Sequence, residues 1–205
     1  MRDIHPYATD SDERDQWVIG IAIVAIFAGY VLYVVVESHR GIVPGWLWWV
    51  EIPGPVSLYL ILRRWMDARG WTFSPFHKLR WVRIPNLNGR WKGTLKTSHD
   101  DMAREYPCEI VIRQTWTRIA VILTTATSRS ENLVAGVLIN GTDDALLVYE
   151  FENQPRMDAP KSMEIHRGHA TLRLERRVNT EMLVGEYYSG RGRTNTGTIS
   201  VERVS

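Results

Sequence analysis

The hydrophobic pattern of the chain begins with one long apolar run. Residues 17–36 contain neither a charge nor a proline, and Asp15 and Glu37 bound them. A helix of about 20 residues spans about 30 Å, the hydrocarbon thickness of a bilayer, and satisfies its own backbone hydrogen bonds. The run therefore predicts a membrane-spanning helix over Trp17–Val36. The polar, acidic residues 1–16 before it predict a loosely ordered tail.

A second apolar run, Ile42–Leu62, is less regular. Prolines and one carboxylate interrupt it, namely Pro44, Pro53, Pro55 and Glu51. One interpretation is a kinked second span, and another is a tryptophan-rich interfacial segment followed by a short re-entrant helix. The short polar turn between the two runs favours an antiparallel hairpin of two spans over residues 17–64. Glu51 is a functional candidate if it lies inside the membrane, and an ordinary residue if it lies at a kink or an interface.

Basic residues after the second run predict the orientation of this hairpin. Arg63, Arg64 and Arg69 follow it, whereas the turn between the spans carries Arg40 as its one basic residue. Positive charge flanking a span marks the cytoplasmic side, so we expect both termini to be cytoplasmic. The basic, aromatic connector over residues 65–83 fits a collar on anionic headgroups better than a nucleic-acid strip.

From residue 84 onward the period changes to two. Strand-like runs separated by turn signals cover Gly89–Thr97, Cys108–Gln114, Trp116–Thr125, Asn132–Ile139, Ala145–Glu152, His169–Arg176, Leu183–Ser189 and Asn195–Val204. Short antiparallel strands without a convincing helix predict an all-β domain over 84–205, either a closed up-and-down barrel or a sandwich. A barrel of eight strands encloses a lumen that holds side chains or one small ligand.

Alternation within the runs predicts which residues face the interior. The inner set is Ile110, Ile112, Ile119, Val121, Leu123, Leu133, Ala135, Val137, Leu147, Tyr149, Phe151, Ala170, Leu172, Leu174, Gly197, Ile199 and Val201. This face becomes more polar at some strand ends, at Thr125, Ser189 and Asn195. The gradient predicts a barrel that is packed at one end and open at the other.

Composition and motifs limit the kinds of binding or catalytic site that the sequence supports. The formal net charge of +2 favours no particular partner, and the single cysteine, Cys108, excludes a disulfide within the chain. His166 and His169 have a metal-ligand spacing, but we place them around a turn at Gly168 without a third ligand. No nucleophile–base pair is apparent, so we expect neither an enzyme nor a metal or other cofactor.

Two segments are distinctive. The first, Gly89-Arg90-Trp91-Lys92-Gly93, resembles the Gly-x-Trp signature of lipocalin-like barrels, in which the tryptophan closes the barrel floor. The second runs from Gly185 to Gly197 and combines tyrosines, arginines, hydroxyls and glycines in one hairpin. Rings stack on bases, guanidinium groups pair with phosphates, and glycines let backbone amides approach a ligand. An ordinary basic hairpin with cross-strand tyrosines would show the same residues.

These segments supply the candidate site. We expect the ligand to contact Tyr149, Tyr187, Arg191, Arg193, Thr194 and Thr196, and we assign Trp91 to the barrel floor. Tyr187 shares the predicted inner face with Gly185 and Ser189, which allows its ring to stack on a base. The two arginines lie at the turn, within reach of phosphates.

The tail, the two spans, the connector and the strand-rich domain with these two segments together resemble a known family. It is the two-transmembrane, β-strand-rich effector family of bacterial cyclic-oligonucleotide-based anti-phage signalling (CBASS). The resemblance implies an eight-stranded, lipocalin-like up-and-down barrel that binds a cyclic di- or trinucleotide. It also implies oligomerisation through the transmembrane helices and disruption of the inner membrane, with membrane lipid but no nucleic acid polymer as a partner. A membrane-tethered, lipocalin-like carrier or sensor of an apolar ligand is the alternative.

Overall fold

The structure is a computed structural model that describes residues 4–39, 54–139, 144–157, 159, 164–178, 180–190 and 194–204. The chain forms two compact units. The helical unit comprises Asp12–Val82, and the barrel unit joins the residues before Asp12 to the chain from Arg83 onward.

The helical unit contains the predicted first span. Its elements are α1 (Glu13–Ser38), α2 (Pro55–Ala68), a 3₁₀ turn (Gly70–Thr72) and α3 (Ser74–Lys78). Among the described residues, α1 is the one helix long and apolar enough to cross a membrane. It begins four residues before the predicted span, at Glu13, and the carboxylates of Glu13 and Asp15 favour the positive end of the helix dipole.

The second predicted span lies partly outside the described residues. Positions 40–53, which include Glu51 and the prolines at 44 and 53, belong to that part of the chain. The described remainder is α2, which begins at Pro55 and continues beyond Leu62 to Ala68. Pro55 therefore starts a helix instead of interrupting one, because a first-turn residue needs no N–H donor. With 14 residues, α2 by itself is shorter than a bilayer-spanning helix. The described residues therefore contain one helix long enough to span a bilayer, whereas the sequence analysis predicted two.

The small residues of α1 face α2 of the same chain. Ala25 is buried, and a Cβ at Gly29 would come within 2.9 Å of the Pro55 Cγ atom. Within the chain, the helix that lies against these small residues is α2. Oligomerisation through the transmembrane helices stays a prediction.

Aromatic side chains gather at the start of α1. The Trp17 ring lies 4.9 Å from the Phe76 ring, and Trp17 Nε1 donates to the Trp81 carbonyl at 2.9 Å. Trp65 and Trp81 are exposed, together with several basic side chains of the connector. Exposed indoles beside cations are the composition that the predicted headgroup collar requires.

The described part of the barrel unit contains ten strands. They are β1 (His5–Pro6), β2 (Ala8–Thr9), β3 (Gly89–Thr97), β4 (Tyr106–Gln114), β5 (Arg118–Thr125), β6 (Ser128–Leu138), β7 (Leu146–Pro155), β8 (His166–Arg176), β9 (Glu181–Ser189) and β10 (Thr196–Val204). From β3 to β10 each strand pairs antiparallel with the next along the chain, and β10 pairs with β3. This closed eight-stranded barrel confirms the predicted fold and excludes the sandwich.

Two details of the strands differ from the prediction. Arg167 and Gly168, predicted as a turn, lie inside β8. In β6 the register shifts between Asn132 and Val134, and the buried Asn132, which the sequence analysis did not include, faces inward opposite Phe151. A bulge adds one residue to a strand and reverses the alternation beyond it, which a period-two count does not detect.

The N-terminal residues are ordered. His5 and Pro6 pair antiparallel with Ile119 and Arg118 of β5, and Ala8 and Thr9 pair parallel with Gly136 and Val137 of β6. We call Ile4–Ser11 the N-terminal strap. The expectation of a loosely ordered tail is wrong for these residues, because barrel strands supply the partners that the segment lacks by itself.

Candidate ligand-binding site

One end of the barrel holds a cavity of about 350 Å³. Its wall is formed by Leu95, Thr97, His99, Tyr106, Pro107, Leu123, Thr125, Ala126, Thr127, Ser128, Ser130, Tyr149, Phe151, Asn153, His166, Tyr187, Ser189, Asn195 and Ile199. These residues come largely from the ends of β3, β5, β7 and β9 and the beginnings of β4, β6 and β8, which meet at one end of an antiparallel barrel. The volume lies within the range of small-molecule pockets, roughly 300–1,000 Å³.

The wall combines aromatic rings with neutral polar groups. Tyr106, Tyr149, Phe151 and Tyr187 supply the rings, while hydroxyls, two amides and two imidazoles supply hydrogen-bonding groups. Neither lysine nor arginine is among the described wall residues. The cavity therefore offers stacking surfaces and hydrogen bonds, whereas pairing with an anionic group requires cations from beyond the described wall.

Tyr149 and Tyr187 both lie on the cavity wall, as the prediction requires. Tyr149 is 3% exposed, and burial, followed by the nearby Cys108, raises the pKa of its phenol. It therefore remains a neutral hydroxyl at physiological pH. Its ring centroid lies 6.2 Å from that of Phe151, within the range of paired aromatic rings.

Two rings of the wall lie over glycines on neighbouring strands. Tyr187 is the register partner of Gly197, and a Cβ at Gly197 would overlap the Tyr187 ring. Phe151 has the same relation to Gly168, where a Cβ would come within 3.0 Å of the Phe151 Cε1 atom. An aromatic side chain that covers a cross-strand glycine is a recurrent sheet-stabilising pair. Because the two glycines carry no side chain, the Tyr187 and Phe151 rings can lie directly over them.

The other predicted contacts are placed differently. Arg191 and Arg193 lie outside the described residues. Thr194 and Thr196 are exposed and do not belong to the wall, whereas Asn195 between them does. Thr196 pairs with Tyr188 on the outer face, and its N–H donates to Ser98 Oγ at 3.0 Å. Strand alternation explains why neighbouring positions face opposite sides.

The predicted polar gradient is confirmed, because Thr125, Ser189 and Asn195 all line the cavity. The sequence analysis missed other polar wall residues, including His99, Ser128, Ser130, Asn153 and His166. Extending the inward parity of the predicted strands by two to four residues would have found Asn153 and His166. Ser128 and Ser130 have the opposite parity from the inward positions predicted for β6, because the register shifts between Asn132 and Val134.

The two histidines of the H-x-x-H spacing lie on opposite faces of β8. His166 lines the cavity, whereas the His169 ring stacks on Tyr188 at a centroid distance of 5.4 Å. Residues three positions apart on a strand point to opposite sides, which excludes a shared metal ion. No group of three potential metal ligands occurs in the described part of the chain.

Trp91 lies toward the end of the barrel opposite the cavity. It is fully buried in the first half of β3, while Leu95 and Thr97 of the same strand line the cavity. Its Nε1 donates to the Leu87 carbonyl at 3.1 Å, and the Arg203 guanidinium carbon lies 4.6 Å from the ring centroid. Burial lowers the pKa of Arg203, and Glu181 opposes that shift. Full burial at this end of the barrel fits the predicted role of Trp91 in closing the barrel floor.

Comparison with known proteins connects this barrel to a family. Residues 82–203 match the family described as "Cap15, cyclic dinucleotide receptor domain". CD-NTase-associated protein 15 from Yersinia aleksiciae is 28% identical over 148 residues, which cover 72% of this chain and 68% of the relative. The matched family is described as a receptor domain. The chain therefore belongs to the Cap15 family, and its resemblance to the CBASS effectors is confirmed.

Proposed function

We propose that the protein is a membrane-bound anti-phage effector that binds a cyclic di- or trinucleotide in the barrel cavity. On binding, it oligomerises and disrupts the bacterial inner membrane, which kills the infected cell. The observation that carries this proposal is a cavity lined by rings and hydroxyls within the region matched as a cyclic dinucleotide receptor domain. Helix α1 supplies the membrane attachment.

The wall suggests how such a ligand lies. Bases stack on Tyr187 and beside Tyr149, since each base has a π-face and the described wall carries no cation. Phosphates then lie toward the last hairpin. Ser189 and Asn195 line the cavity, and Arg191 and Arg193 are each two residues from one of them along the chain. This proximity in sequence supports the assignment of both arginines to phosphates.

The alternative of an apolar-ligand carrier is less well supported. A fatty-acid cavity needs few polar groups, whereas this wall includes Asn153, Asn195, His99 and His166. A desolvated amide or imidazole left without a hydrogen-bond partner destabilises an apolar complex. The polar wall and the family match both favour the nucleotide.

Strand pairing supports a hairpin topology with both termini in the cytoplasm. The strap pairs with barrel strands, so the residues before α1 and the barrel lie on the same side of the membrane. If α1 crosses the membrane, the chain must cross back before Arg83. Arg63 and Arg64 mark that side as cytoplasmic. In a Cys108→Ala background, we expect a cysteine at position 205 to resist an impermeant thiol reagent in intact cells, and labelling there would refute the topology.

The binding site is tested by a pair of neighbouring tyrosines. Tyr187 faces the cavity, while Tyr188 is 53% exposed on the outside. Loss of one stacked base costs about 1–3 kcal/mol, or about 5- to 150-fold in affinity. Titration calorimetry of the detergent-purified full chain with cyclic di-AMP, cyclic di-GMP and cyclic UMP–AMP should show this loss for Tyr187→Ala. Tyr188→Ala is the matched control and should bind as the unchanged protein does.

The outcomes separate the two candidate functions. Arg193→Ala should also weaken nucleotide binding by an order of magnitude, because a charge-assisted phosphate contact is lost. Normal binding by both Tyr187→Ala and Arg193→Ala would make the hairpin an ordinary surface turn. Binding of palmitate in place of every nucleotide would favour the carrier. Nucleotide-dependent dye release from phospholipid vesicles containing the protein tests the membrane step separately.

A further inference from the structure

The barrel has one weak seam, between β5 and β6. Three residue pairs join these strands, Ile122–Glu131, Leu123–Ser130 and Thr124–Arg129. Every other interface between neighbouring barrel strands has at least seven pairs in the described part of the chain. These pairs lie next to the turn that joins β5 to β6. Farther from that turn the two strands separate, and the N-terminal strap occupies the gap between them.

The strap is held there by a buried tyrosine. Tyr7 is 4% exposed, its N–H donates to the Thr117 carbonyl at 3.3 Å, and its hydroxyl donates to the Trp116 carbonyl at 3.1 Å. Gln114 Nε2 donates to the same hydroxyl at 3.1 Å. At the end of the strap, the Ile139 N–H donates to Asp10 Oδ1 at 2.8 Å. Side-chain contacts thus supplement the short backbone ladder.

Asn132 lies where the two strands separate. Its Oδ1 accepts the Val121 N–H at 2.8 Å, which replaces a ladder hydrogen bond and fixes the amide orientation. Its Nδ2 therefore faces His5 Nε2, at 2.7 Å, and donates to it. One side chain joins β5, β6 and the strap. It is also next to the cavity, because its register partner is Phe151 and the preceding inward residue of β6 is Ser130.

A cyclic dinucleotide in the cavity would lie close to this point. The cavity, about 350 Å³, is near the lower end of the pocket range of roughly 300–1,000 Å³, whereas the ligand carries two nucleosides and two phosphates. If the wall widens as both bases enter, the interface with three residue pairs yields before interfaces with seven or more, and its pair Leu123–Ser130 lies on the cavity wall. Widening there would displace Asn132 from its partners on β5 and the strap.

We infer that cyclic dinucleotide binding and strap pairing oppose each other, so that the ligand loosens the strap. The inference rests on the receptor function. Because the strap leads directly into α1 at Glu13, its release changes the attachment of the membrane helix when the ligand is bound. Coupling of this kind is reciprocal, so holding the strap in place must weaken ligand binding by the same factor.

Ala8 and Gly136 provide a reversible lock. They are register partners, and a Cβ at Gly136 would lie 3.9 Å from the Ala8 Cβ atom, within the spacing of disulfides. The variant Ala8→Cys with Gly136→Cys can be oxidised and reduced in one preparation, while the native Cys108 is buried. Ala8→Cys alone, treated with the same oxidant, is the matched control.

The measurement is affinity for the tightest binder among cyclic di-AMP, cyclic di-GMP and cyclic UMP–AMP, with the full chain in detergent. We expect the oxidised form to bind at least tenfold more weakly than the reduced form, and dithiothreitol to restore the affinity. Equal or tighter binding by the oxidised form would refute the coupling. If neither form nor the unchanged protein bound any of them, the receptor function would fail, and the coupling with it.

Hydrogen exchange tests the same inference without a substitution. The Tyr7 N–H is protected by the Thr117 carbonyl while the strap is paired. We expect the ligand to accelerate exchange in the peptide containing Tyr7 by about tenfold or more, while peptides from β3 keep their protection. Unchanged or slower exchange at Tyr7 with saturating ligand would show that the strap stays in place.

Discussion

Replacement of Trp91 by alanine tests whether this residue supports the fold or contacts the ligand. The side chain is fully buried, donates from Nε1 to the Leu87 carbonyl and stacks against the Arg203 guanidinium group. Large-to-small changes at such aromatic sites cost about 3–5 kcal/mol, and a partly desolvated cation–π contact adds about 0.5–2 kcal/mol. We therefore expect a loss of about 4–6 kcal/mol, comparable to the whole stability of a small domain.

The assay is urea unfolding of the full chain in detergent, followed by the circular dichroism of the barrel. Trp91→Phe is the matched control, because it keeps a ring beneath Arg203 and loses chiefly the Nε1 hydrogen bond. Such a bond contributes about 0.5–1.5 kcal/mol, so we expect this variant to remain folded and to bind nucleotide with the affinity of the unchanged protein. The cavity wall does not include Trp91.

Two results would refute this reasoning. A Trp91→Ala protein that unfolds within about 1 kcal/mol of the unchanged chain would show that the floor assignment is wrong. A Trp91→Phe protein that keeps its stability but loses nucleotide affinity as strongly as Tyr187→Ala would place Trp91 in the binding site.

The helical unit and the single cysteine provide two further predictions. Gly29→Leu should separate α1 from α2, because a Cβ at Gly29 already meets Pro55, and should reduce nucleotide-dependent dye release while leaving nucleotide affinity intact. Gly20→Leu is the control, because a Cβ at Gly20 meets nothing within 4 Å. Equal dye release by the two variants would exclude this helix contact from the mechanism. Burial raises the pKa of Cys108 from 9.0 to about 11. The thiol therefore loses its proton in the unfolded chain first, and barrel stability should fall as pH rises from about 9 to about 11. Cys108→Ala should flatten that slope in urea titrations at different pH values, and an unchanged slope would contradict the assignment.

The strand pattern was predictable because each barrel strand has one buried face. In β3 the predicted and observed bounds coincide at Gly89 and Thr97. Closure into a barrel followed from the number of short strands and from the Gly-x-Trp resemblance, and Gly89 itself adopts φ 133°, which favours glycine. Local alternation therefore contained most of the information about the fold.

The strap was not predictable in the same way. His5-Pro6-Tyr7-Ala8-Thr9 shows no run of alternating residues, and its partners lie more than a hundred positions away along the chain. Its order depends on the gap between β5 and β6, which in turn depends on the bulge near Asn132. Non-local pairing of this kind leaves no local signal.

The site was partly predictable, and the omission of His166 has an identifiable origin. Tyr149 and Tyr187 lie on the wall because their inward parity extends over well-predicted strands. His166 was missed because Gly168 was interpreted as a turn residue, whereas this glycine makes room for the Phe151 ring. A glycine in a strand often marks a close approach by another group instead of a break.

The two points where the barrel unit joins the helical unit along the chain share one side chain. At the later junction, Ile84 and Leu87 are buried, the Leu87 N–H donates to Gln114 Oε1 at 2.8 Å, and Gln114 Nε2 donates to the Pro85 carbonyl at 3.2 Å. The same Nε2 donates to the Tyr7 hydroxyl of the strap at 3.1 Å. The strap differs from the later junction because its first residues extend to Asn132, whose register partner Phe151 lines the cavity. A ligand in the cavity therefore acts on the strap through Asn132 and His5, and on the later junction only through Gln114, so the strap and α1 are the first to respond.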